Sequence, residues 1–205
     1  MPARCGGLAI CALAAVLALA SSARAEEAAA VRPPARSEAT APRNPVWAST
    51  VDASRNLYRI TDTLYRSERL TPADVARLRQ LGVRTVINLR AFHSGTDVLA
   101  GSGIRQVRIP ILTWKVDDAQ MTRALRELHA AQAEGPTLLH CQHGADRTGL
   151  VAAMYRMAYQ GWSKQQALEE LQQGGYGFHP VWKNIPRYIR HVDLQAIRHA
   201  LGIAD

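Results

Sequence analysis

Apolar and polar residues follow two different periods along the chain, and each change of period marks a predicted element. Apolar residues at three- and four-residue spacing predict helices, and short apolar runs predict strands. The predicted strands are 56–60, 63–66, 84–89, 106–109 and 137–140. The predicted helices are one from Thr71 to Gly82, 119–133, 147–160, one that starts at Ser163, and a largely helical 182–201 interrupted by Pro186. This alternation predicts a single α/β domain with a small central mixed or parallel sheet flanked by helices.

The first 50 residues carry a different pattern. A single positive charge precedes an apolar run at 5–20, and Ala23-Arg24-Ala25 has the form of a cleavage site. Residues 1–25 are therefore predicted to be a secretory signal peptide, with an uncleaved membrane anchor as the alternative. Residues 26–50 are rich in Ala, Pro and Arg and predict a disordered tether, which leaves 51–205 as the folded domain. We expect a periplasmic protein without stable membrane insertion after cleavage.

Composition and charge narrow the class of partner. With 47% apolar and 20% charged residues, the chain can build a packed core. Lys and Arg number 25 against 17 Asp and Glu, a net charge of +8 that favours an anionic partner. No run of like charges is present, so nucleic acid is not expected as a partner. After cleavage Cys141 is the one cysteine left, which excludes a disulfide within the chain.

Residues 137–149 combine an apolar strand, a tight loop and the start of a helix. The backbone N–H groups of a loop this short can surround one tetrahedral oxyanion, and the helix N-terminus adds its positive dipole end. That field favours the thiolate form of Cys141, a strong nucleophile. Arg147 supplies a planar fork for two phosphate oxygens, and Gly144 permits a sharp bend. The predicted phosphate-binding residues are Gln142, His143, Gly144, Ala145, Asp146 and Arg147. The alternative is a purely structural turn with a buried cysteine.

The segment His-Cys-x-x-Gly-x-x-Arg-Thr-Gly resembles the signature of the Cys-dependent protein tyrosine and dual-specificity phosphatases. The likeness runs from about Asn56 to Asp193 and is greatest to a small exported bacterial branch. It implies a dual-specificity-phosphatase-like fold, a phosphorylated protein substrate and a two-step mechanism through a phosphocysteine. The resemblance makes Cys141 the nucleophile and Arg147 the phosphate clamp. It also implies that His140 helps to set the thiolate and that Thr148 hydrogen-bonds the sulfur.

The sequence does not determine which residue is the general acid. In the family the general acid is an aspartate, and Trp114 stands at the corresponding position of this chain. The candidates here are therefore the acidic residues Asp117, Asp118 and Asp146. Asp117 alternatively caps the following helix through a capping box with Gln120. Asp146 alternatively orients Arg147 or another part of the loop. A protein without a general acid is the fourth possibility.

Several further expectations follow from the residues around this motif. The histidines show no metal-ligand spacing, so neither a metal nor a cofactor is predicted. Arg66 and Arg90 end predicted strands and are interpreted as solvated rather than as facing the phosphate. Residues 176–180 form either a loop over the pocket or a simple turn.

The alternative functions are a phosphoinositide or inositol-polyphosphate phosphatase, a catalytically dead phosphate-binding module, and a sulfurtransferase. The absence of lysine from the phosphate loop disfavours the inositol-phosphate substrates, and the intact pair of Cys141 and Arg147 disfavours the catalytically dead module. A sulfurtransferase does not require the Thr148-Gly149 segment, so its presence disfavours that activity. We expect a monomer.

Overall fold

The computed structural model describes residues 43–203 and builds them around one six-stranded sheet. The strands are β1 Ser49–Asp52, β2 Leu57–Thr61, β3 Leu64–Ser67, β4 Thr85–Asn88, β5 Arg105–Arg108 and β6 Thr137–His140. Their order in the sheet is β1-β2-β3-β6-β4-β5. The first two pairs are antiparallel, and β3, β6, β4 and β5 run parallel. The predicted α/β class with a mixed sheet is therefore confirmed.

Within residues 43–203, six α-helices complete the fold. They are α1 Val75–Gln80, α2 Asp118–Glu134, α3 Asp146–Gln160, α4 Lys164–Gln173, α5 Asn184–His191 and α6 Leu194–Ala200. The larger core packs α2 to α6 against one face of the sheet, with α3 buried along almost its whole length. A smaller core under α1 covers the other face. Among residues 43–203, no helix is both long enough and apolar enough to cross a membrane.

The central strand β6 carries the chemistry of the site to the carboxyl edge of the sheet. It lies between β3 and β4, and His140, its last residue, pairs with Ser67 on one side and Asn88 on the other. Every residue of β6 is buried, because the strand is covered on both faces. The chain therefore leaves the sheet at Cys141 in a position that two neighbouring strands fix.

The folded domain begins earlier than the sequence predicted. The predicted signal peptide, residues 1–25, and residues 26–42 of the predicted tether lie outside the described residues. Residues 43–50, assigned to the tether, instead pack on the domain: Ser49 opens β1, and the N–H of Ala48 donates to Glu170 Oε1 at 2.7 Å. The Arg43 guanidinium donates to Tyr176 Oη at 2.7 Å and lies over the ring of Tyr58. Composition alone missed these contacts, because their partners are far along the chain.

The predicted break at Pro186 is also wrong. Pro186 is the third residue of α5, where a missing N–H removes no intrahelical hydrogen bond. The helical segment breaks instead after His191, and Asp193 caps the new helix by accepting from the N–H of Ala196 at 3.0 Å.

Candidate active site

The phosphate loop, residues 141–147, is held with its carbonyl groups facing outward. The carbonyl of Gln142 accepts from the N–H of Arg69 at 3.1 Å. The carbonyl of His143 accepts from Asn56 Nδ2 at 2.7 Å, and that of Gly144 accepts from Arg66 Nη2 at 2.6 Å. Three consecutive carbonyls are therefore bound by three donors that surround the loop.

This arrangement turns the amide groups inward. A trans peptide places its N–H opposite its C=O, and no peptide bond among the described residues is cis. The N–H groups that follow the three outward carbonyls, those of residues 143–145, therefore point into the loop. None of them has an acceptor in the part of the chain that the structure describes. Converging N–H groups at the start of a helix form a site for one oxyanion.

Gly144 has the conformation that the sequence predicted. Its φ is +72°, in the left-handed region that favours glycine. A Cβ atom at this position would also lie 2.6 Å from the carbonyl oxygen of Ser67. Both the backbone angle and the close approach to β3 therefore require glycine here.

Arg66 corrects the prediction of a solvated arginine. Its side chain is fully buried beneath the loop, and its guanidinium lies 3.5 Å from the ring centroid of Tyr176. Burial lowers the pKa of Arg66 below its ordinary value, while the nearby Glu170 opposes this shift. The residue supports the loop from below and is a functional position that sequence reasoning missed.

Cys141 starts the loop and is buried, and the residue before it is a neutral histidine. Burial lowers the pKa of His140 to about 4, so its ring carries no charge near pH 7. His140 Nδ1 lies 3.1 Å from the carbonyl oxygen of Cys141, and a carbonyl can only accept, so Nδ1 carries the hydrogen. His140 therefore fixes the backbone of Cys141 and contributes no positive charge.

Arg147 and Thr148 follow at the first turn of α3. Arg147 is half-buried, and its Nε has no hydrogen-bond partner within residues 43–203. The buried Thr148 Oγ1 is likewise without a partner there, so the predicted hydrogen bond to the Cys141 sulfur is not present. A buried hydroxyl without a partner costs about 1–3 kcal/mol and is typical of a site that awaits another group.

Asp117 and Asp118 are bound by partners outside the loop. Asp117 caps α2 by accepting from the N–H of Gln120 at 2.9 Å, the structural role that the sequence offered as its alternative. The return bond of the predicted capping box is missing, because Gln120 Oε1 has no partner in residues 43–203. Asp118 accepts from Tyr188 Oη at 2.7 Å, on α5. Neither carboxylate has a hydrogen bond to the phosphate loop among the described residues.

Asp146 lies in the loop itself and pairs with a histidine rather than with Arg147. It is buried, and it accepts from the backbone N–H of His179 at 2.9 Å. His179 Nδ1 also lies 2.9 Å from Asp146 Oδ2. The ring of His179 is 5.3 Å from that of His143, centroid to centroid. Residues 176–180 are therefore a loop that packs on the phosphate loop, and Asp146 holds it there.

The same three residues form a group that can offer metal ligands. Donor atoms of His143, Asp146 and His179 lie within 4.8 Å of one another. Histidine spacing along the sequence could not reveal this group, because the fold assembles it from two loops. The N-terminus of α3 and Arg147 place positive charge beside this group. The hydrogen bond between Asp146 and His179 also occupies two of the atoms that could bind a metal. These surroundings favour an anion over a cation.

Arg90 lies at the mouth of the site and not in free solvent. It is half-buried, and its Nε has no hydrogen-bond partner in residues 43–203. Its pKa is held below the ordinary value, first by burial and then by the positive charges of Arg69 and Arg147, against the opposing influence of Cys141. The interpretation of Arg90 as simply solvated is therefore wrong.

A sheet of this topology, with a cysteine and an arginine bracketing an oxyanion loop, defines a cysteine-dependent phosphatase. Residues 63–191 match the family model described as PTP-SAK, a Swiss Army Knife protein with a DSP-PTPase phosphatase domain. The chain belongs to this family, as the sequence resemblance predicted.

Named relatives agree with this assignment. The chain is 46% identical over 167 residues to the dual specificity protein phosphatase TpbA of Pseudomonas aeruginosa (strain UCBPP-PA14), covering 80% of this chain and 75% of that protein. The crystal structure of P. aeruginosa TpbA superposes with a TM-score of 0.74 at 43% identity, covering 78% of this chain and 98% of that one. A cysteine-to-serine variant of TpbA in complex with pTyr gives a TM-score of 0.74 at 42% identity, covering 79% and 99%. These similarities confirm the dual-specificity-phosphatase fold.

Proposed function

We propose that this protein hydrolyses phosphate monoesters on proteins, phosphotyrosine foremost and phosphoserine and phosphothreonine with it. The observation that carries the proposal is the phosphate loop, whose inward N–H groups lie between Cys141 and Arg147. The pTyr complex of a TpbA variant supports the same substrate class. Catalysis needs no metal, because the loop and Arg147 neutralise the phosphate charge.

The reaction proceeds in two displacements on phosphorus. The Cys141 thiolate attacks, an S–P bond forms, and the P–O bond to the substrate breaks. The leaving oxygen takes a proton from a general acid. Water then attacks phosphorus and returns a proton to the same group, while the S–P bond breaks and releases phosphate. Arg147 binds the equatorial oxygens through both steps. Thr148 offers its free hydroxyl to the sulfur as the intermediate breaks down.

The proton comes from the pair of Asp146 and His179. Asp117 and Asp118 are occupied by α2 and Tyr188, whereas Asp146 lies next to Arg147 at the site. The His179 side chain is 46% exposed and that of Asp146 only 9%, so His179 connects the buried carboxylate to solvent protons. A histidine that is hydrogen-bonded to a carboxylate can pass a proton between that carboxylate and solvent.

The purified protein, assayed with p-nitrophenyl phosphate and a phosphotyrosine peptide, tests the proposal. We expect hydrolysis of both, no turnover by Cys141→Ser, and loss of both binding and rate in Arg147→Ala. Retention of phosphate binding by Cys141→Ser would show that the loop is intact. Wild-type turnover in Cys141→Ser, or inert wild-type protein, would contradict the proposal.

Export to the periplasm is a further part of the proposal. It rests on the charge, apolar run and small-residue site within residues 1–25. N-terminal sequencing of the protein from a periplasmic extract should give Glu26 as the first residue. Full-length protein in the membrane fraction would contradict it.

A further inference from the structure

Two arginines flank the phosphate loop on opposite sides of the central strand. The register pairs Ser67 of β3 and Asn88 of β4 with the same residue of β6, His140. Arg69 comes two residues after Ser67, and Arg90 two residues after Asn88. Because the three strands are parallel, both arginines leave the sheet at the edge where the phosphate loop begins, one on each side of it.

Backbone contacts keep both arginines in place. The N–H of Arg69 donates to the carbonyl of Gln142, inside the phosphate loop, at 3.1 Å. The N–H of Arg90 donates to Asn88 Oδ1 at 2.9 Å, and the residue before it, Leu89, donates to the carbonyl of His140 at 2.9 Å. These bonds fix the backbone of both residues and use none of the guanidinium donors.

Neither guanidinium has a carboxylate partner within residues 43–203. Acidic side chains pair instead with other arginines, namely Arg55 with Glu68 and Asp74, Arg59 with Asp62, Arg105 with Glu134, and Arg156 with Glu170. The mouth of the active site therefore holds three positive charges without a carboxylate partner in residues 43–203, those of Arg69, Arg90 and Arg147. Like charges gathered in this way repel each other, and an anion between them removes that repulsion.

One phosphoryl group does not need all three arginines. Its oxygens are bound by the loop N–H groups and by Arg147, which lies within the loop. Arg69 and Arg90 lie beside the loop and remain for a second negative group on the same substrate. The planar fork of arginine matches the two oxygens of a carboxylate.

The surface around Arg90 indicates a peptide. Phe92, two residues further on, is 76% exposed and adds a large apolar side chain to this part of the surface. An apolar side chain beside an unpaired cation suits a polypeptide that carries both kinds of group. An inositol polyphosphate offers no comparable apolar surface, and the loop carries no lysine.

We propose that Arg69 and Arg90 form a second anion subsite, which binds acidic side chains next to the phosphorylated residue of a protein substrate. This inference rests on the proposed phosphatase function. It makes acidic phosphopeptides the preferred substrate class and assigns the selectivity to residues outside the phosphate loop.

Two phosphotyrosine peptides test the inference. One carries Glu on both sides of the phosphotyrosine, and the other carries Gln at the same positions. The wild-type protein should show a kcat/KM about tenfold higher for the Glu peptide at low ionic strength. Added salt should reduce this ratio, because at least one of the two cations is exposed. The double variant Arg69→Gln/Arg90→Gln should bring the ratio close to one.

Arg84→Gln is the matched control. Arg84 is an exposed arginine that precedes β4, at the opposite end of the strand from Arg90, and its loss should leave the ratio at the wild-type value. If the double variant does not fold, as judged by circular dichroism, the single variant Arg69→Gln at an exposed position should still lower the ratio.

The outcomes separate the inference from the function on which it rests. Hydrolysis of both peptides at equal kcat/KM by the wild type would overturn the subsite and leave the phosphatase function intact. An unchanged ratio in a folded double variant would do the same. If the protein hydrolyses an inositol polyphosphate with a higher kcat/KM than either peptide, the assignment to peptides is wrong. No hydrolysis of any substrate would overturn the proposed function itself.

Discussion

Arg66 Nη2 donates a 2.6 Å hydrogen bond to the carbonyl oxygen of Gly144, 78 residues further along the chain. This bond ties the middle of the phosphate loop to the end of β3. It determines which way the peptide group between Gly144 and Ala145 points, and hence that its N–H faces the loop interior. The buried arginine therefore acts on the phosphate site without touching the phosphate.

Arg66→Gln should damage both stability and catalysis. The Gly144 carbonyl would lose its hydrogen-bond donor, and the Tyr176 ring would lose its cation–π contact. The free energy of unfolding should therefore fall by about 2 kcal/mol or more. A displaced loop should lower kcat by about 100-fold. Urea unfolding and steady-state kinetics measure the two effects. Arg59→Gln, an exposed arginine on the neighbouring β2, should change stability by only about 0.5 kcal/mol. Equal effects of the two substitutions would contradict the supporting role of Arg66.

Asp146→Asn and His179→Gln should each steepen the dependence of rate on leaving-group pKa. An aryl phosphate with a good leaving group hardly needs a proton, whereas phosphotyrosine does, and its rate should fall by about 10²–10⁴-fold. A series of substituted aryl phosphates gives the slope.

Asp117→Asn is the control for this series. Because asparagine caps a helix about as well as aspartate, this substitution should change stability by less than about 1 kcal/mol and leave the slope unchanged. If Asp117→Asn or Asp118→Asn alone steepens the slope, the acid lies outside the phosphate loop and the assignment to Asp146 and His179 is wrong.

The buried His140 should make the protein less stable in acid. Its folded pKa is lowered to about 4, from an ordinary value of 6.5, so the unfolded chain binds the proton more readily. The free energy of unfolding therefore rises as pH rises from about 4 to about 6.5. As pH falls through the same window, the free energy of unfolding decreases by roughly 3 kcal/mol at most. His140→Gln should flatten this part of the profile of unfolding free energy against pH. Parallel profiles for the two proteins would contradict a neutral buried His140.

Chelators should leave the activity intact. The phosphate charge is met by N–H groups and Arg147, and the donors His143, Asp146 and His179 lie in a positive environment. Hydrolysis in EDTA should therefore match hydrolysis in buffer, and vanadate should inhibit it. Loss of activity in EDTA that returns with Mg²⁺ or Zn²⁺ would show that a metal takes part.

Local signals predicted β6, the phosphate loop and the start of α3, because Cys141, Gly144 and Arg147 lie within seven consecutive residues. They did not predict the partners of that loop. Asn56 reaches His143 across 87 residues, and Asp146 reaches His179 across 33. A charged residue at the end of a strand is usually exposed, which is why the sequence predicts a solvated Arg66. Its burial depends on Gly144 and Tyr176, which only the folded chain brings against it.

Trapping the covalent intermediate tests directly whether Cys141 is the nucleophile. The wild-type protein is mixed with a phosphotyrosine peptide, quenched in denaturant within the first turnovers, and mapped by peptide mass spectrometry. We expect one phosphoryl group on the peptide that contains Cys141, and none in Cys141→Ser. Steady release of phosphate with no phosphoryl group on Cys141 at any quench time, or the same adduct on another residue, would contradict it.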